Sequence, residues 1–130
     1  MVKPRDIQRE QWSKFFDNFT REHRGWTITL EIIGTEIGAQ IQDRELVFEG
    51  IATEGKETAS QIMIMAGETP DGHITHRIAR PVQVGFDEDE QSASALIVIK
   101  GADAITTLLK LRAPAFLEVV DANQALAAKL

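Results

Sequence analysis

The hydrophobic repeat of this chain shortens at Gly25, and the short separators beyond that point leave no room for a parallel sheet. Before Gly25, apolar residues recur at helical spacing. In IQREQWSKFFDNFTREHRG, Trp12, Phe15, Phe16, Phe19 and His23 fall at i, i+3, i+4, i+7 and i+11, one face of a 3.6-residue period. Arg9, Glu10, Lys14, Asp17 and Arg21 take the other positions. Gly25 stands where a left-handed C-terminal cap is expected. His23 and Arg24 lie at the negative end of the helix dipole, which favours cations. An aromatic stripe of this kind reads as core rather than as a partner groove.

From Trp26 the period is two. Trp26, Ile28, Leu30 and Ile32 share one face of a strand, with Thr27, Thr29 and Glu31 on the other. ELVFEGIAT is a second strand, in which Gly50 marks a bulge or sharp bend. The preceding GAQIQD is either a short strand or part of the same bent one. SQIMIMAG is a third, apolar on both faces, and HITHRIARPVQVGF a fourth. ASALIVIK and AITTLLKLR are joined around GADA, a hairpin loop. The separators EGKETA, GETPDG and DEDEQSAS are loop-length, and the acidic run from Asp87 to Glu90 reads as a solvated loop. A parallel connection needs a crossover of about a dozen residues or more, usually a helix. These spacings are shorter, so the sheet should be antiparallel. After Arg112, APAFLEVVDANQALAAKL reads as a helix, with Pro114 in its first turn.

The expected class is α+β and β-rich: an N-terminal helix packed on a strongly bent antiparallel sheet of five to six strands, or a partly open small barrel, plus a C-terminal helix. At 130 residues one domain is expected, divided as 1–25, 26–113 and 114–130.

Composition removes several functions. There are no cysteines, which excludes disulfides, thiolate zinc sites and cysteine nucleophiles. A net charge of −6 opposes nucleic-acid binding, which usually needs a basic face. MVKPRDIQRE has no apolar core of a signal peptide, and no apolar run approaches the roughly 20 residues that span a bilayer. The expectation is a soluble cytoplasmic protein with no membrane contact.

The polar anomaly lies in the fourth strand. By parity, Ile74, His76, Ile78, Arg80, Val82, Val84 and Phe86 share the apolar face, while His73, Thr75, Arg77, Ala79, Pro81 and Gln83 share the other. His73 and Arg77 then form a possible surface patch. His76 and Arg80 form a candidate anion-binding or enzymatic pocket, or a buried network with Glu31, Asp43, Glu45 or Glu49 as carboxylate partner. A third reading has the strand end leave the core and expose Arg80. The assignment assumes no bulge, and Pro81 favours edges and bulges. His73 and His76 are spaced HxxH, but i and i+3 point to opposite faces of a strand, so no metal site is expected. No P-loop, GxGxxG or GxSxG is present, and nothing implies a cofactor.

QWSKFFDNF with EHRGW, ITHRIARPVQV, and GADAITTLLKLRAP together resemble a family of small bacterial proteins classified only as a domain of unknown function. The residues that carry the resemblance are Trp12, Phe16, Phe19, His23, Gly25, Gly50, His76, Pro81, Leu108 and Arg112, within residues 4 to 114. The family more often has glycine where Ala104 stands, which implies a different last turn. The resemblance brings no catalytic residues. The order of elements is also similar to Sm-like small barrels, at the level of fold alone. The favoured expectation is a non-enzymatic protein-interaction or oligomerising module. The alternatives are an Sm-like RNA-binding barrel and a small anionic-ligand or enzymatic site at His76 and Arg80.

Overall fold

A computed structural model describes residues 4–34, 38–55, 61–67 and 72–114. The elements are β1 (Arg5–Ile7), a 3-10 turn (Arg9–Gln11), α1 (Trp12–His23), β2 (Thr27–Gly34), β3 (Gly38–Glu54), β4 (Gln61–Gly67), β5 (His73–Ala79), β6 (Pro81–Asp89), β7 (Ser94–Gly101) and β8 (Thr106–Arg112). The chain is thus β-rich, with one short N-terminal helix among the described residues. The C-terminal helix expected over 114–130 lies, from residue 115 onward, outside them.

The aromatic stripe does what its spacing requires. Trp12, Phe16, Phe19 and His23 are buried, and Phe15 is half-buried against them. The Trp12 indole N–H donates to the Ile7 carbonyl at 2.9 Å, so the buried ring keeps no unpaired donor. Gly25, at φ +95°, adopts the left-handed conformation expected of a residue after the last turn. The N-terminal region is more divided than the helix expected over 1–25. Arg5–Ile7 leaves the helical pattern and pairs with β6 as a three-residue edge strand.

All strands pair antiparallel, in the order β1-β6-β7-β8-β2-β3-β4-β5. The sheet has eight strands rather than five or six. Two causes raise the number: Arg5–Ile7 joins the edge, and the expected fourth strand divides at Arg80 into β5 and β6. One residue therefore links an edge of the sheet to the strand second from its other edge. In a flat sheet those strands would lie about 29 Å apart. Two Cα steps reach at most about 7 Å. The sheet must curl until its two ends meet at Arg80. Pairing does not close it into a barrel: the order is open, with β1 and β5 as edges.

The inner face holds Ile28, Leu30, Phe48, Ile51, Ile62, Ile64, Val84, Ile97, Ile99 and Leu109, all nearly inaccessible. GAQIQD proves to be the start of β3, one 17-residue strand with register shifts against both neighbours. The acidic run is not a loop as expected. Asp87, Glu88 and Asp89 close β6 in register with Leu96, Ala95 and Ser94, and only Glu90 enters the turn.

β3 changes partner at Val47: residues before it pair with β2, and residues after it pair with β4. This would expose a row of backbone groups on the β2 side, and the end of α1 covers it. Phe48 N–H donates to the Trp26 carbonyl (2.8 Å) and Gly25 N–H to the Phe48 carbonyl (2.9 Å). Arg24 Nε donates to the Glu49 carbonyl at 3.3 Å. Thr20 Oγ1 accepts from Ile51 N–H (3.0 Å) and donates to the Ile51 carbonyl (3.2 Å). A Cβ on Gly50 would sit 3.3 Å from Thr20 Cγ2, so the glycine lets the helix come this close.

Candidate functional site

The backbone at Arg80 decides where the four singled-out side chains point. Arg80 has φ +48°, a left-handed conformation uncommon for any residue but glycine, and it turns the strand sharply. Its carbonyl accepts from Ala102 N–H at 2.9 Å, pinning the corner to the β7–β8 turn. The side chain is exposed, as is Val82 at 53%, while Pro81 and Val84 are buried. A register shift between Pro81 and Gln83 produces the change of phase. Arg80 therefore does not share an apolar face with His76, and the pocket expected from those two residues is not assembled. No carboxylate pairs with Arg80 among the described residues. Arg80→Met is expected to change unfolding free energy by no more than about 0.5 kcal/mol in a denaturant titration. A loss of several kcal/mol would restore the buried ion pair.

Before the corner the parity holds. Ile78 is buried, Ile74 and His76 are half-buried, and His73, Thr75, Arg77 and Ala79 are exposed. His73 and Arg77 do lie together on the outer face, but each meets a carboxylate. His73 Nδ1 is 2.8 Å from Glu49 Oε2. Arg77 Nη1 is 3.5 Å from Glu54 Oε1 and 3.0 Å from Met63 Sδ. Exposed pairs of this kind contribute at most about 1 kcal/mol each. They also leave the patch less basic than its sequence implies.

His76 faces a cleft that the curl creates beside β5. It lines a cavity of about 180 Å³ together with Ile32, Ile78, Ile105, Asp103 and Thr107. Ile32 and Thr107 are paired residues on β2 and β8, strands well removed from β5 in the sheet order. Only the curl brings them opposite His76. Three isoleucines give the wall its apolar part, and His76, Arg77, Asp103 and Thr107 also line it. Asp103 Oδ1 is already used, accepting from Ile105 N–H at 3.1 Å to hold the turn. The cleft can admit one side chain and offer it hydrogen bonds. Among the described residues no three histidine, aspartate or glutamate side chains converge as metal ligands would.

That turn contains Ala104 at φ +68°, a left-handed position where glycine would fit without strain.

His23 is not among the site residues expected from sequence. It is 2% exposed, stacks on Phe19 with ring centroids 4.0 Å apart, and meets Trp26 edge-on at 4.5 Å. Its Nδ1 is 2.9 Å from the Phe19 carbonyl, which can only accept, so that nitrogen carries a proton. Nε2 lies 3.4 Å from Glu88 Oε2. Its signal in the sequence is the i+11 position on the apolar stripe. The role visible here is structural, tying the end of α1 to β6.

A curled, open antiparallel sheet with one N-terminal helix over the bend of its longest strand is the class that the fold defines. The chain belongs to the family described as a family of unknown function (DUF5335), matched over residues 3–120. An uncharacterized protein of Aquifex aeolicus (strain VF5) is 27% identical over 93 residues, covering 72% of this chain and 78% of the relative. No solved structure matches the chain. No helix among the described residues is long and apolar enough to cross a membrane.

Proposed function

We propose that this chain is a non-enzymatic, cytoplasmic interaction module that pairs with a second copy of itself along the free edge of β5. The observation that carries the reading is the contrast between edges. β1 is three residues long, α1 covers β3 where it leaves β2 after Val47, and the stretch of β3 before Val47, which meets no described strand on its β4 side, is made irregular by two register shifts against β2. β5 offers seven residues, and no strand among those described pairs with its outer side. An uncovered edge of this length is a template for strand addition.

The sequence of β5 suits a two-fold pairing centred on His76. Ile74 then meets Ile78 of the partner subunit on the inner side, and Thr75 meets Arg77 of the partner subunit outside. No like charges stand opposite each other beyond the axis. The cleft beside His76, with Ile105 36% exposed at its rim, gives the interface an apolar anchor.

Sedimentation across a wide protein concentration range tests this. The unmodified chain should dimerise. Thr75→Glu, placing a carboxylate against Arg77 of the partner subunit, should tighten the dimer. Thr75→Arg should weaken it by about five-fold or more. A chain that stays monomeric at every concentration, or two variants that shift the dimer equally, would overturn the reading.

A further inference from the structure

The outer face of β7, β8 and β2 carries a concavity that the edge pairing does not use. It measures about 310 Å³ and is lined by Thr27, Thr29, Ser92, Ser94, Lys110 and Arg112, with Leu111 between the two cations. Four hydroxyls and two cations make an unusual lining for a chain of net charge −6.

The register explains the grouping. Arg112 on β8 pairs with Ser94 on β7 and with Thr27 on β2, so a hydroxyl residue flanks it on each side. Directly opposed residues carry their Cβ atoms about 4.5–5.5 Å apart. Lys110 lies two residues earlier on the same face, about 6.7 Å along the strand, beside Thr29. The Ser92 and Ser94 hydroxyls are 2.7 Å apart. When one donates to the other, the acceptor still has its own proton to donate outward.

The two cations are not equivalent. Lys110 Nζ is 3.1 Å from Glu31 Oε1, so its charge is partly met within the protein. Arg112 is exposed and makes no ion pair among the described residues. Arg112 thus keeps its donors available to solvent, with a hydroxyl residue beside it on each neighbouring strand. On the β6 side the surface changes sign: Asp89 is in register with Ser94 and Asp87 with Leu96, and both aspartates line a neighbouring cavity that shares Ser94 and Lys110. The anion-attracting part is therefore confined to the side of the concavity formed by β8 and β2, away from β6.

We infer that this concavity binds the phosphate group of a small molecule, with Arg112 as the principal ligand-binding residue and Thr27 and Ser94 as hydroxyl donors beside it. Guanidinium donors match tetrahedral and planar oxyanions two at a time, and hydroxyls fill the remaining acceptor positions. The confined positive region and the acidic flank favour one phosphate over an extended polyanion. The cavity size admits a phosphate with a small attached group, such as a phosphate monoester.

The test is a titration followed by two-dimensional amide NMR, with inorganic phosphate and a phosphate monoester as separate ligands. Sodium chloride at matched ionic strength is the control. The expected result is saturable shifts clustered at Thr27, Thr29, Ser92, Ser94, Lys110 and Arg112 at millimolar phosphate or below, absent with chloride. Tighter binding of the monoester than of inorganic phosphate would identify a phosphorylated metabolite as the natural class. The reverse would identify free phosphate. Arg112→Gln should raise Kd about tenfold or more, while Lys100→Gln, at an exposed position of β7, should leave it unchanged. Amide spectra of both variants verify the fold. Phosphate shifts that match those with chloride, or that survive Arg112→Gln in a folded variant, would overturn the site. Neither result bears on the β5 dimer, which sedimentation reads separately.

Discussion

Phe19→Ala is expected to remove about 3–5 kcal/mol of folding stability. Phe19 is the contact through which α1 holds two separated parts of the curled sheet. It is 2% exposed and meets Phe48 of β3 edge-on at 5.7 Å and Phe86 of β6 edge-on at 5.7 Å. It also stacks on His23 and packs beside Phe15. Truncation would remove a large apolar surface and leave a cavity among rigid rings that cannot collapse into it. The aromatic geometry itself adds about 0.5–1.5 kcal/mol per pair beyond area. Phe15→Ala, on a half-buried ring of the same helix, should cost clearly less. Urea unfolding followed by tryptophan fluorescence measures both, since Trp12 and Trp26 flank the cluster. A loss below about 1 kcal/mol for Phe19→Ala would mean that α1 does not anchor the sheet.

Thr20→Val should cost about 1–3 kcal/mol, a large effect for a change that preserves shape. Its single hydroxyl serves both backbone groups of Ile51, where β3 has lost β2 as neighbour. Valine fits the same space and satisfies neither group. The part-buried N–H and carbonyl of Ile51 would then be left without their partner. Thr20→Ser keeps the hydroxyl and should lose less than half as much. Ser13→Ala, on the exposed side of the same helix, should stay within about 0.5 kcal/mol. Amide exchange at Ile51 is the direct readout: its protection should fall in Thr20→Val and persist in Thr20→Ser. Equal protection in both would show that the hydroxyl does not cover this edge.

Both effects concern features whose legibility in the sequence differs. The aromatic stripe is plain, because Trp12, Phe16, Phe19 and His23 keep to the helical period and all are buried. The alternation through Trp26 to Ile32 is equally plain, with Ile28 and Leu30 inward. Thr20 has no such signal. Its role depends on β3 exchanging neighbours at Val47, a fact of strand pairing. The candidate site divides in the same way. His73, His76 and Arg77 point where parity puts them, because a strand without a bulge has no other choice. Arg80 does not, because a left-handed corner and a register shift beside Pro81 reset the phase. The cleft beside His76 takes Ile32, Asp103 and Thr107 from strands and a turn distant in the chain. The proposed phosphate site draws its lining from three strands and the turn before β7.

Local periodicity and connections too short for crossovers are properties of the bare sequence. They are enough to set the class of elements, the antiparallel sense of the sheet and the inward residues of each unbroken run. The number of strands, the curl that brings the ends of the sheet together at Arg80, and the edges left open are settled at the tertiary level. Each depends on which backbone groups find partners across the chain. One residue in a left-handed conformation is enough to redirect every strand after it.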